Sequence, residues 1–341
     1  MRGLLVTLFT FCLGLVAACG TDATEDALQS LMGGAMGTSF SVKIVAPANA
    51  VDLESVRTQV EQTLATIEQQ MSTYIADSEI SLFNAQRSVE WFEVSAELCD
   101  VVTQALTLSA ATDGAFDITV GPLVNLWGFG PGGQVAEPPA QDLIAVLLQA
   151  IGHTALHTDC SVPALRKDLP DLYVDLSAFA KGYGVDKLAA LLDAAGVEDY
   201  LVEIGGELRV RGRNAGGEDW GIAIESPGRI GRAVQSVIRL TDAAMATSGD
   251  YRNYFEHDGR MYSHTIDPRT GYPVAHDAAS VTVIAATAAY ADAMATALLV
   301  MGPTDGIAFA DREGIAALFL VREEGAFREL SSAAFDERAG A

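Results

Sequence analysis

The segment Ala289-Ala-Tyr-Ala-Asp-Ala-Met-Ala-Thr-Ala-Leu-Leu-Val-Met-Gly302 constrains this chain more than any other. It reads as an apolar, Ala-rich helix with one acid, Asp292, and one hydroxyl placed to join it, Thr296. Positions i and i+4 share a helix face, so both oxygens can reach one point. An unpaired carboxylate in such a segment costs several kcal/mol unless something positive sits against it. No Lys or Arg lies within a helical turn or two. The acid therefore takes a partner from elsewhere in the fold or a hard cation, unless it is an N-terminal acid that faces water. Oxygen ligands from Asp and Thr suit Mg²⁺ better than Zn²⁺.

The start of the chain bears on where it works. Arg2 precedes an apolar run from Leu4 to Leu15, followed by Val16-Ala17-Ala18-Cys19-Gly20. A short positive region, about a dozen apolar residues and small residues before the cut describe a secretory signal over residues 1–18, not a membrane span. Small residues directly before a Cys resemble a bacterial lipobox. That resemblance implies cleavage before Cys19, lipidation of Cys19, and a lipid anchor in the cell envelope facing the periplasm. The alternative is an ordinary signal peptide that contains a Cys. Residues 19–30 are polar and lack apolar periodicity, so they read as a tether. Residues 31–335 are then the functional domain.

Composition supports one large globular body: 50% of residues are hydrophobic and 32 are Gly. The net charge is −24, and losing Arg2 with the signal makes it one unit more negative. Such a surface excludes nucleic-acid binding through phosphates and gives no electrostatic help at an anionic membrane. Cys99 and Cys160 are too few and too far apart for a disulfide scaffold or a zinc site. They pair in an oxidising compartment or remain free buried thiols; the sequence leaves both open.

The patterning alternates strands and helices with no internal repeat. Strands are expected over 38–45, 171–176, 200–204, 207–211, 220–225, 233–240, 280–285 and 315–321. Helices are expected over 52–71 with Asp52 as cap, 95–112, 140–151, 180–195 closed by Gly196, and 289–302. Residues 128–139 form a Gly/Pro-rich loop, and no Pro/Ser-rich linker divides the body. The patterning gives an α+β or layered α/β body; the class expected is α+β, a layered body of mixed sheets flanked by helices.

Five segments carry chemistry. Residues 114–131 combine close-approach glycines, Asp117 between apolar neighbours, and the flat rings of Trp127 and Phe129. A tight turn over the core is the plainer reading. Asp175-Leu-Ser-Ala-Phe-Ala-Lys-Gly-Tyr-Gly184 runs from a strand end into a helix, where free N–H groups and Lys181 would attract phosphate. The Walker spacing is absent. Thr247-Ser-Gly-Asp-Tyr-Arg-Asn253 reads as polar groups on a turn. Ser263-His-Thr-Ile-Asp-Pro-Arg-Thr-Gly271 sets His264, Asp267 and Arg269 on an Asp-Pro turn, with His264 a candidate acid or base. The Asp292/Thr296 helix is the fifth.

Together with Met36-Gly-Thr38, Ser72-Thr-Tyr74, Ser78-Glu-Ile-Ser-Leu-Phe-Asn84 and Glu203-Ile-Gly-Gly-Glu-Leu-Arg-Val-Arg-Gly212, these ordered motifs resemble the ApbE family of FAD:protein FMN transferases. The resemblance runs from Met36 to about Gly302 and implies an ApbE-like, T-fold-like body with FAD in a long cleft, its diphosphate near Mg²⁺. It implies flavin contacts at Met36 and Tyr74, and an adenine-end loop at Ala115, Phe116 and Asp117. Further FAD contacts fall at Asp175, Lys181 and Ile266. Metal positions fall at Asp292 and Thr296, with Ala178 and Ala295 matching two more; those alanines offer only a backbone carbonyl or room for water. His264 matches the acid/base histidine. The implied reaction moves FMN from FAD to a Thr or Ser hydroxyl of a target protein, releasing AMP. Implied partners are flavin-accepting subunits of membrane electron-transfer complexes. Two other readings share the site: an FAD pyrophosphatase, with water replacing the hydroxyl, and a non-catalytic flavin-binding lipoprotein.

Overall fold

Period-two alternation builds the centre of the molecule. In the strand Thr38–Pro47, Phe40, Val42 and Ile44 are buried on one face, while Lys43 and Val45 point to the other. The structure is a computed structural model, and it describes residues 26–47, 50–228 and 233–339. The signal sequence, Cys19 and the first part of the tether lie outside the described residues. Eight strands form the central sheet: Asp26–Ala35, Thr38–Pro47, Asp199–Ile204, Glu207–Arg211, Ala243–Gly249, Ala278–Ala285, Ala316–Glu323 and Ala326–Ser331. They follow one another across the sheet in chain order, each pair antiparallel.

Each face of that sheet is covered. On one, Val42, Ile44, Val202 and Ile204 pack against Val60 and Leu64 of the helix Leu53–Met71 and Val185 and Leu188 of the helix Ala180–Ala194. Further along, Val281, Val283 and Phe319 meet Met294 and Leu298 of the helix Ala288–Glu313. On the other face, Leu201, Leu208 and Met245 pack against Trp220, Ile222 and Ile238 of the hairpin Trp220–Ser226/Ala233–Leu240. The helices Glu79–Ala85 and Ala96–Ala111 cover a small sheet of Phe92–Glu93, Ala164–Lys167 and Leu156–Asp159. This is the layered α+β body that the patterning predicts.

Several local expectations change. The strand Asp26–Ala35 begins inside the expected tether. It is an edge strand with one neighbour and only Leu31 deeply buried, so it carries no alternation to read. A two-residue turn closes its hairpin, with Met36 and Gly37 both at positive φ (53° and 72°). Residues 171–176 are not a strand; separate bonds tie the segment down, Asp175 N donating to Ile118 O (2.7 Å), Val174 N to Asn84 Oδ1 (2.8 Å) and Asn84 Nδ2 to Val174 O (2.8 Å). Residues 247–249, expected on a turn, finish a strand paired on both sides, Ala243–Gly249. Its small residues fit between neighbours but give no apolar period. The helix expected over 140–151 covers Gln141–Leu147. The key apolar helix runs on to Glu313, broken at Gly302 (φ 80°) before Pro303. Cys99 and Cys160 form a disulfide joining the helix Ala96–Ala111 to the turn after Asp159.

Candidate active site

A cleft of about 1270 Å³ opens at one end of the central sheet. The turns Met36-Gly37 and Gly205-Gly206 and the end of the strand Ala243–Gly249 converge there, because antiparallel register brings Ala35, Thr38, Ile204 and Glu207 to the same edge. Gly205 sits at φ 64°, and a Cβ there would lie 2.9 Å from Thr38 Cγ2. Only Gly serves.

Two helices build the charged wall. The helices Ala180–Ala194 and Ala288–Glu313 cross at Gly182, where a Cβ would lie 2.7 Å from Ala289 Cα. This close approach puts the Gly182 N–H 3.2 Å and Lys181 Nζ 3.4 Å from Asp292 Oδ2. Lys181 also lies 3.6 Å from Glu207 Oε1. One turn on, Asp186 accepts from the N–H groups of Ala288 (3.0 Å) and Ala289 (2.9 Å). It thereby supplies the cap that Thr287 does not. The partner Asp292 requires is thus Lys181. Thr296, one turn below Asp292, lies 3.0 Å from Ser248 Oγ through its own Oγ1.

The electrostatics follow from burial. Desolvation works against the Lys181 charge, but Asp292 and Glu207 outweigh it and raise its pKa above the ordinary lysine value. Desolvation pushes the Glu207 carboxyl up to about 7, against the pull of Lys181 and helped by the charge of Asp292. Glu207 Oε2 is buried with no hydrogen-bond partner.

His264 stands across the cleft. Its backbone N–H and its Nδ1 both lie 3.0 Å from the carbonyl oxygen of Asn253, and Phe129 meets the ring edge-on at 6.2 Å. A carbonyl only accepts, so Nδ1 carries the proton and Nε2 the lone pair. Burial holds the imidazole pKa below its ordinary value, with a smaller push from Lys181; the Asn253 carbonyl and Asp250 act in the opposite direction. Asp250, paired with Arg322, anchors the loop that presents Asn253.

The other expected residues fall in several places. Met36, Tyr74, Ala115, Phe116, Asp117, Asp175, Ala178, Lys181, Ile266, Asp292 and Thr296 all line the cleft. Tyr74 is 67% exposed at its rim. Asp117 also holds its own loop: Oδ1 accepts from Thr119 N (2.8 Å) and Oγ1 (2.7 Å), and Oδ2 accepts from His153 N (2.9 Å). Asp175 accepts from Ser177 N at 2.9 Å. Ala295 is fully buried among Met294 and Leu298, away from the cleft lining. Trp127, expected to offer a flat surface to a ligand, is a core residue at 1% exposure. Its Nε1 donates to Gly271 O (2.8 Å) and its ring stacks on Tyr262. Asp267 and Arg269 pair with each other at 2.9 Å instead of joining His264. Among the described residues no three His, Cys, Asp or Glu side chains gather about one point.

The ApbE family profile matches residues 36–319. The chain belongs to the ApbE family. It is 43% identical over 337 residues to the FAD:protein FMN transferase of Vibrio cholerae, covering 98% of each chain. To the FAD:protein FMN transferase of Escherichia coli it is 42% identical over 320 residues, covering 92% of this chain and 90% of the other. The solved flavin transferase ApbE from Vibrio cholerae superposes with a TM-score of 0.85 at 42% identity, over 92% of this chain and 99% of that one. The apo flavinyl transferase ApbE of Pseudomonas stutzeri gives 0.86 at 42% identity, over 94% and 99%. Within this ApbE site, Glu207, Ser248, Asp186 and Asn253 escape sequence reasoning. Glu207, Ser248 and Asn253 sit inside quoted motifs and Asp186 lies two residues past one, but a polar residue in a motif does not reveal which cation, hydroxyl, ring or N–H it will meet.

Proposed function

We propose that this chain transfers FMN from FAD to a hydroxyl of a target protein. The observation that carries the reading is the pairing, across one cleft, of the half-buried Lys181 and its buried partners Asp292 and Glu207 with a neutral histidine. The hydroxyl oxygen of the acceptor attacks the phosphorus of the FMN half. A new O–P bond forms there, and the bridging P–O bond breaks, AMP leaving with its electron pair. His264 Nε2 takes the hydroxyl proton. Lys181, held between Asp292 and Glu207, brings positive charge to the cleft of a chain whose net charge is strongly negative.

Asp292 and Thr296 fit Mg²⁺. They are hard oxygen donors one helical turn apart at the cleft wall, and Mg²⁺ takes few protein ligands, filling its shell with water and phosphate oxygens. Bound there, the ion would neutralise diphosphate charge. Asp292→Ala should abolish both Mg²⁺-dependent AMP release and Mg²⁺ binding by calorimetry, and Thr296→Val should weaken both less. Full Mg²⁺ binding by the Asp292 variant would remove this assignment.

The N-terminal sequence supports lipidation at Cys19 and a periplasm-facing membrane anchor, and the family resemblance supports targets among flavin-accepting subunits of membrane electron-transfer complexes. Cys19→Ala should release the body or leave it unprocessed while the purified domain keeps its activity; mass spectrometry of the mature N-terminus decides. The reaction is tested by incubating the protein with FAD and Mg²⁺, with and without a flavin-accepting protein. Transfer predicts acceptor-dependent AMP and FMN bound to a Thr or Ser. Free FMN with equal AMP in both tubes marks a pyrophosphatase, and retained FAD without AMP a binding protein.

A further inference from the structure

The cleft does not stop at the wall just described. It passes around the end of the central sheet onto the opposite face, where Lys43, Leu201 and Leu208 form a floor beneath the strand Trp220–Ser226. None of Lys43, Leu201, Leu208 and the lining residues of this strand is among the positions matched to FAD or metal. Among the described residues, the strand Trp220–Ser226 pairs only with Ala233–Leu240, so its other edge is free. Gly221, Ile222 and Ala223 all line the cleft. Successive side chains point to opposite faces, so consecutive lining residues mean that the strand turns its edge to the cleft. Gly221 and Ala223 are exposed and small, which lets another backbone come close. Lys43 has no ion pair among the described residues and stands ready for a carbonyl or carboxylate. At the end of the strand, Glu225 pairs with Arg252, next to the Asn253 that holds His264.

We propose that this second lobe docks the acceptor protein, as an extended segment added to the free edge of Trp220–Ser226, which carries its hydroxyl to His264. The inference rests on the transferase reading above. That reaction needs a protein hydroxyl and the FAD diphosphate in one cleft, and this is the lobe that the flavin positions leave open. A free strand edge recognises an extended main chain, a feature that a water nucleophile lacks.

The test uses displayed peptides of randomised sequence around one central Thr, with FAD and Mg²⁺, reading FMN attachment by flavin fluorescence and mass. The wild-type protein should label a subset of peptides. Ala223→Arg, which sets a long charged side chain on the exposed lining position beside the free edge, should raise the peptide KM about tenfold or more while leaving kcat and FAD affinity unchanged. Lys43→Glu gives a second reading should the first variant not fold. Unchanged labelling in a folded variant overturns the proposal. So does an equal loss of FAD affinity, which would give the lobe to FAD. Wild-type protein that labels a folded acceptor but no peptide also overturns it. A wild-type protein that releases no AMP with any acceptor fails the transferase reading instead.

Discussion

A histidine acts as a base only while it is neutral, and the surroundings of His264 keep it so. Burial is the larger influence and Lys181 adds to it, so the pKa falls below the ordinary imidazole value. Activity that depends on a neutral Nε2 should therefore hold at neutral pH and fall only as the pH drops through that lowered value. His264→Asn keeps a hydrogen bond to Asn253 but offers no base. It should cost on the order of 10²–10⁴ in rate with FAD affinity retained, and the acid limb of the pH profile should vanish. A variant that binds FAD poorly yet turns over normally at saturation would make His264 a positioning residue. At this scale the sequence stated the need of Asp292 for a positive partner. It did not supply the partner, because Lys181 lies 111 residues away and only the helix crossing brings the two together.

The crossing of the helices Ala180–Ala194 and Ala288–Glu313 is the element on which the site depends. The second helix is apolar and long enough to cross a membrane, but most of it is buried in the body. Its first turn has no side-chain cap of its own, so Asp186 takes the free N–H groups of Ala288 and Ala289. Asp186→Ala should lower stability by about 1–2 kcal/mol, the usual cost of a lost helix cap, as read by urea unfolding. It should also weaken Mg²⁺ binding, since the turn that carries Asp292 would no longer be pinned beside Lys181. Unchanged stability and Mg²⁺ affinity would show that Gly182 alone sets the crossing. Helix positions were legible because their apolar period is long and their caps are local: Asp52 accepts from Glu54 N and Ser55 N. The strands Asp26–Ala35 and Ala243–Gly249 were not, since exposed edge residues and small residues leave no period to read.

For the molecule as a whole, the disulfide Cys99–Cys160 closes a loop with a sequence separation of 61. Loop-closure entropy for that length corresponds to about 4 kcal/mol of stability. Replacing both cysteines by Ser should lower unfolding stability by roughly 2–5 kcal/mol. Transfer activity at room temperature should remain, because neither residue lines the cleft. An unchanged urea midpoint would show that the helix Ala96–Ala111 and its small sheet hold together without the bond. A structural disulfide also suits an oxidising compartment, as the N-terminal signal leads one to expect.

The chain by itself determined the α+β class, most helix positions, the motif set and the residue types that gather at the cleft. Each of these depends on local periodicity, caps and short-range spacing. Tertiary structure alone decided that Lys181 serves both Asp292 and Glu207, that Asp186 caps a helix about a hundred residues away, and that Asn253 fixes the tautomer of His264. It also moved Trp127 into the core and paired Asp267 with Arg269. The physical reason is the same in each case. A charge, a ring or an N–H is satisfied by whatever folding places within a few ångströms, and sequence distance does not encode that.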